Sequence, residues 1–199
     1  MFSKQSVTIA AVAIAFVAPG TTARAQDAAP HKPHFEFIVN SGTIVPTGAQ
    51  RDAIKRGDVT AAQLAYVIRP SFAVTASVGW ARTRDIASVG DPRLDMFTYD
   101  IGSEVRANRL LAGKTLSFSP FAGAGVGGRT YNYRSLAVDA SHNVAAYGSA
   151  GSEIGFGRRV KLRVEARDYL TGFKPLDGRV GNDTRNDVSV MMGLRLKVR

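Results

Sequence analysis

From Val160 to Arg167 the chain reads Val160-Lys161-Leu162-Arg163-Val164-Glu165-Ala166-Arg167, with every second side chain apolar and every residue between them charged. A helix would smear the two sets around its circumference, whereas a strand turns successive side chains to opposite faces and separates them cleanly. One face is then wholly apolar and the other wholly ionic. In a soluble sheet the ionic face would look at water. Seven further alternating segments and an N-terminal export signal point to the reverse, with the apolar face outward to lipid and the charged face lining a closed barrel.

At 199 residues the chain suits one domain. Outside the N-terminus no run approaches the roughly 20 apolar residues a membrane helix needs, which excludes a helical membrane protein. A mean hydropathy of −0.05 is what alternating barrel strands average to. Twenty glycines against one Trp suit tightly packed strands and turns. The absence of cysteine excludes disulfides, thiolate metal sites, cysteine nucleophiles and a cysteine-borne lipid anchor. The formal charge of +10 raises nucleic acid as a partner, but no recognition motif for it is present. Anionic lipid headgroups and lipopolysaccharide phosphates are the expected partners instead.

Residues 1–25 read as a signal peptide. Lys4 supplies the positive start, Val7 to Ala18 the apolar core, Pro19-Gly20 the break and Ala23-Arg24-Ala25 the small-x-small cleavage site. The mature chain then begins at Gln26, with a polar, disordered lead-in over 26–33 and a barrel domain over 34–199. Eight strands are expected: His34 to Val45, Val59 to Ile68, Phe72 to Arg82, Met96 to Arg106, Thr115 to Tyr131, Val144 to Phe156, Val160 to Leu170 and Asp187 to Val198. Each is near the ten residues that a tilted outer-membrane strand requires. Short connections (Arg69 to Ser71, Ala107 to Lys114, Gly157 to Arg159) alternate with polar ones of about a dozen residues (Thr47 to Asp58, Thr83 to Asp95, Asn132 to Asn143, Gly172 to Thr184), as short periplasmic turns and longer, charged outer loops would. The fold expected is an all-β, eight-stranded, antiparallel up-and-down transmembrane barrel.

The inward face collects Glu36, Asp100, Glu104, Arg106, Arg129, Glu153, Lys161, Arg163, Glu165, Arg167, Arg195 and Lys197. Paired carboxylates and arginines can form a catalytic constellation. The interior of an eight-stranded barrel is just wide enough for side chains to fill, and buried charges must pair, so an ionic plug is the stronger expectation. The same filling leaves at most a narrow or gated channel. Asp139, Ser141 and His142 have the residue types of a nucleophile and its base, but three neighbours in one loop do not make the geometry. His31 and His34 match no metal-ligand spacing. The run Gly123 to Gly128 lies inside a strand with no helix after it, so it is no phosphate cradle; its glycines make room for bulky neighbours or let the strand bend. No catalytic residue, metal ligand or cofactor is expected. Trp80, Phe97, Tyr99 and Tyr131 suit the outer aromatic girdle, and Phe72, Phe118 and Phe156 the inner one. Arg82, Arg84, Arg134, Lys174 and Arg185 would lie near lipopolysaccharide phosphates.

Four stretches carry a resemblance: Phe35 to Gly48, Ser119 to Tyr131, Leu162 to Tyr169 and Asn186 to Val198. Through them the chain resembles the small eight-stranded outer-membrane barrels of the OmpA transmembrane domain and OmpX kind. The resemblance implies an outer-membrane protein of a Gram-negative-type bacterium, inserted by the barrel-assembly machinery, monomeric, without a shared catalytic residue and with no domain after the closing strand. Two departures stand out: the closing strand ends Val198-Arg199 where the group usually ends in an aromatic residue, and Asp168 has lipid-facing parity, which calls for a place at the outer rim. The leading functional expectation is a non-enzymatic barrel with a structural or surface-interaction role. A small-solute pore, a lipid A-modifying enzyme and a soluble calyx are the alternatives. Protein purified from membranes is expected to have an intact mass lacking residues 1–25, and Ala25→Phe to retain them.

Overall fold

The computed structural model describes residues 32–107, 111–112, 116–134, 136–156, 159–172 and 184–198. The expected signal peptide, its cleavage site and the lead-in as far as His31 lie outside them, as does most of the fourth long connection. The elements are β1 (His34–Thr47), a 3-10 turn (Gly48–Asp52), β2 (Gly57–Arg69), β3 (Phe72–Arg84), β4 (Arg93–Arg106), a two-residue β5 (Leu111–Ala112), β6 (Leu116–Tyr133), β7 (Ser141–Phe156), β8 (Val160–Gly172) and β9 (Thr184–Lys197). The eight long strands pair antiparallel with their neighbours, and β9 pairs with β1 to close the ring. β5 merely extends the ladder beside the start of β6.

The ring closes with a stagger. Following cross-strand partners from Phe37 through Leu64, Ala76, Ile101, Val126, Ala146, Leu170 and Asn186 leads back to β1 at Thr47, ten residues further on. A stagger of this size tilts the strands by about 40° and leaves a lumen that side chains can fill. Closure also pairs the backbone groups that an open edge would leave bare in lipid.

The alternation resolves as the opening stretch of sequence implies. Arg163 and Glu165 have no exposure, while Val164 and Leu194 are 43% and 50% exposed. Phe37, Leu64, Val78, Ile101, Val126 and Met192 are likewise exposed on the outer wall, an apolar surface far too continuous for a soluble monomer.

The strands run 13 to 18 residues rather than about ten. Beyond the apolar belt their outward positions carry polar side chains such as Arg82, Arg84, Arg93 and Asn132, so hydropathy alone stops reading strand before the ladder ends. The long connections shrink accordingly: Arg84 to Arg93 and Tyr133 to Ser141 are now the strand ends, and the span from β4 to β6, residues 107–115, is longer than the links 85–92 and 134–140 at the opposite end. Asp168 is exposed on the outer wall four residues before the end of β8, with Leu170 exposed beyond it.

The first connection is not a solvated loop. It enters the mouth of the barrel, where Ala53 and Ile54 are fully buried with Ile44, Leu94, Met96, Tyr131 and Met191. Backbone bonds pin it to the end of β3 and the link that follows: the Lys55 N–H donates to the Arg84 carbonyl at 2.9 Å, and the Ile86 N–H to the Ala53 carbonyl at 2.9 Å. Burying Ile54 alone contributes roughly 1.5–3 kcal/mol.

Gly102 and Gly125 are cross-strand partners beneath the Tyr147 ring, and a Cβ on Gly125 would sit 2.6 Å from Tyr147 Cε1. Gly148, on the outer wall, has open space around its Cβ position. Gly125→Val is therefore expected to lower stability by about 1–3 kcal/mol, and Gly148→Val to stay within about 0.5 kcal/mol, read from urea unfolding of protein reconstituted in lipid vesicles.

Candidate functional site

The charged residues of the inner face meet in the lumen as one connected network. At the end of the short turns, Glu104 on β4 accepts from Arg106 Nε at 2.6 Å, Arg163 Nη2 at 2.6 Å and Arg195 Nη2 at 3.0 Å. Glu153 on β7 accepts from Arg163 Nη1 at 2.9 Å and Lys161 Nζ at 3.0 Å, and also pairs with Arg195. Glu36 accepts from Arg106 Nη1 at 2.9 Å, with Arg195 Nε 3.3 Å away. Each carboxylate thus faces cations from other strands, and the network spans the lumen from β1 to β9.

Higher up, Glu165 links this group to Arg167, which donates to it from Nη2 at 2.8 Å and Nε at 3.1 Å. Arg167 donates further to Gln63 Oε1 at 3.2 Å and Ser77 Oγ at 3.1 Å, and the Tyr169 hydroxyl donates to Asp100 at 2.7 Å. Above them Arg129 forms a two-pronged pair with Asp187. In the lumen, guanidiniums lie over aromatic rings: Arg163 over Phe121 at 3.6 Å, Arg129 over Tyr169 at 4.0 Å and Arg167 over Tyr147 at 4.5 Å. Planar, delocalised arginine suits both contacts, and lysine would not replace it.

The named cations (Arg106, Arg129, Lys161, Arg163, Arg167, Arg195) match the named carboxylates (Glu36, Asp100, Glu104, Glu153, Glu165, Asp187) one for one. The barrel mouth above is mainly apolar; its buried polar side chains include Gln50 and Asp85, and Asp85 accepts from the Ser88 hydroxyl at 2.7 Å and the Tyr133 hydroxyl at 2.6 Å. An interior void bounded by Ile44, Met96, Arg129 and Tyr169 measures about 20 Å³, room for a single water.

Two expected positions differ. Lys197 shares the inward parity but is exposed at the last residue of β9, where the lumen opens. Tyr131 is not a girdle residue: it is fully buried inside, because it lies two residues from Arg129 and therefore shares its face. Of the other aromatics, Phe97 and Tyr99 are exposed on the outer wall, Trp80 is half-buried beneath the Arg82 guanidinium at 4.0 Å, Phe72 and Phe118 are half-buried and Phe156 is exposed. Strand parity sets Tyr147 on the face of Glu153, as it is found; Asp187, Phe121 and Tyr169 were not among the expected interior residues, although the same parity points all three inward. Phe35 and Tyr66, both with outward parity, are cross-strand partners whose rings lie 4.9 Å apart.

Ser141 and His142 do not meet. Ser141 Oγ accepts from Asn143 Nδ2 at 3.2 Å, while His142 Nδ1 pairs with Thr130 Oγ1 at 2.8 Å on the outer wall. Among the described residues no three His, Asp or Glu side chains are grouped to hold a metal. Lys174 and the Arg185 side chain lie outside the described residues.

Glu104→Ala would leave three buried guanidiniums short of a counter-charge, an expected loss of about 3–5 kcal/mol. Asp95→Ala, which breaks the partly exposed pair with Arg134, is expected to cost no more than about 1 kcal/mol. Urea unfolding in lipid vesicles separates the two.

No protein-family model matches the sequence, and no curated protein matches it. Among solved structures the chain is similar to Neisserial surface protein A, with a TM-score of 0.63 and 11% identity over 84% of this chain and 100% of that one. It is also similar to the outer membrane protein OprG from Pseudomonas aeruginosa, with a TM-score of 0.51 and 12% identity over 83% of this chain and 97% of that one. The closed antiparallel ring is the fold of those neighbours: the chain is a small eight-stranded β-barrel of the outer-membrane kind.

Proposed function

We propose that the protein is a non-enzymatic, non-conducting barrel of the outer membrane, with a structural or surface-interaction role. One observation carries the reading: the lumen is occupied from end to end, by paired ions below and an apolar lid above. An ion or solute would have to displace Arg106, Arg163, Arg167 and Arg195, each held by two or three carboxylates, which costs several kcal/mol per broken pair. Export with loss of residues 1–25, insertion by the barrel-assembly machinery and a monomeric state belong to the same reading. The closed ring supports the last, since it leaves no strand edge to pair with another copy. The long-connection end would face outward, as loops do in outer-membrane barrels. The separation of Ser141 from His142 favours the non-enzymatic role over lipid modification.

Purified protein in planar lipid bilayers is expected to give no discrete conductance steps at neutral pH. Steady unitary steps that persist across preparations would move the protein to the pore class.

A further inference from the structure

On the outer wall, at the end carrying the first connection, six cations surround an open groove of about 680 Å³: Lys55, Arg56, Arg82, Arg84, Arg93 and Arg134. Two carboxylates share it, Asp58 and Asp95, and among the described residues only Asp95 makes an ion pair there, with Arg134 at 2.8 Å. The groove keeps a surplus of four positive charges. All six cations are exposed.

Their positions are fixed by the backbone. Arg84 and Arg93 are direct partners across β3 and β4 on one face. Like charges so placed repel each other, a cost that an anion between them would remove. Lys55 is tied to β3 through its N–H and through its carbonyl, which accepts from the Thr83 hydroxyl. Arg56 Nε donates to Thr43 Oγ1 at 3.1 Å. On β3 the outward face steps from Trp80 to Arg82 to Arg84, and two residues of a strand tilted by about 40° climb about 5 Å. Trp80 marks the edge of the apolar belt, where an indole has both apolar and polar neighbours. The arginines above it stand at headgroup level.

We propose that this groove binds the phosphate groups of the outer-leaflet glycolipid in which the barrel is embedded. Planar guanidiniums take phosphate oxygens in pairs, and a laterally open groove level with the headgroups meets that ligand from the side. The proposal deepens the outer-membrane reading and rests on its orientation.

Trp80 is the only tryptophan and lies under Arg82, so its emission reports on the groove. The full-length barrel in zwitterionic detergent is titrated with diphosphorylated lipid A, the dephosphorylated glycolipid, inorganic phosphate and heparin. Diphosphorylated lipid A is expected to shift Trp80 emission saturably, and the dephosphorylated form to leave it unchanged. The double substitution Arg84→Ala with Arg93→Ala is expected to raise the half-saturating concentration by about tenfold or more. Arg69→Ala, at the opposite end, should titrate as wild type. Each variant is checked for heat-modifiable migration; if the double variant fails to fold, Arg93→Gln alone serves, with a smaller rise. Equal response to both glycolipids, or a double variant that titrates as wild type, overturns the proposal. Saturation by inorganic phosphate at the lipid A concentration, or tighter binding of heparin lost in the same variant, overturns the lipid source. None of these outcomes touches the conductance experiment, so the two readings fail separately.

Discussion

The narrowness of the lumen governs this molecule. Eight strands with a stagger of ten residues enclose a space that side chains fill, so whatever the inward positions carry is withdrawn from water. A carboxylate there is tolerated only if a cation reaches it, and an arginine only if its fork is occupied. Glu104 illustrates the consequence, since one side chain on β4 holds guanidiniums from β4, β8 and β9 at once. The network therefore ties together walls that are far apart in sequence, across the lumen rather than along the ladder.

Filling is achieved by two chemistries. The half near the short turns uses ion pairs and stacked arginines beside a small apolar cluster of Ile38, Ala65, Val67 and Ala73; the half near the first connection uses Ile44, Ile54, Leu94, Met96 and Met191. Buried ion pairs alone are weak contributors to net stability, because desolvation offsets most of their attraction. Apolar burial in the upper half has no such offset. The arginine–aromatic contacts join the two chemistries: Arg129 is paired with Asp187, rests on Tyr169 and borders the apolar mouth.

The fold was legible because period-two alternation is local and survives even where hydropathy averages to zero. The ionic face of β8 could be read residue by residue, and so could most of its partners. Three features were harder to read. Tyr131 carries two conflicting signals, a ring near a strand end that suits a girdle and parity with Arg129 that points inward, and the parity decides. The strand ends were missed because Arg82, Arg84 and Arg93 face outward above the lipid, where a strand no longer needs apolar side chains. The descent of Ala53 and Ile54 into the mouth could not be read locally. It depends on Leu94 and Met96 from β4 and Met191 from β9 being brought to one level by the stagger.

The interior charges are unevenly spread along the chain. β1 to β4 supply Glu36, Asp100 and Glu104 against Arg106 alone, whereas β8 and β9 supply Lys161, Arg163, Arg167 and Arg195 against Glu165 and Asp187. The leading hairpins are thus two units negative inside, the trailing one two units positive, and the middle hairpin neutral, with Arg129 set against Glu153. A half-made sheet presents an uncompensated field, and only the meeting of β9 with β1 cancels it. Long-range attraction between first and last segments of the chain thus favours the ring over any open or swapped assembly.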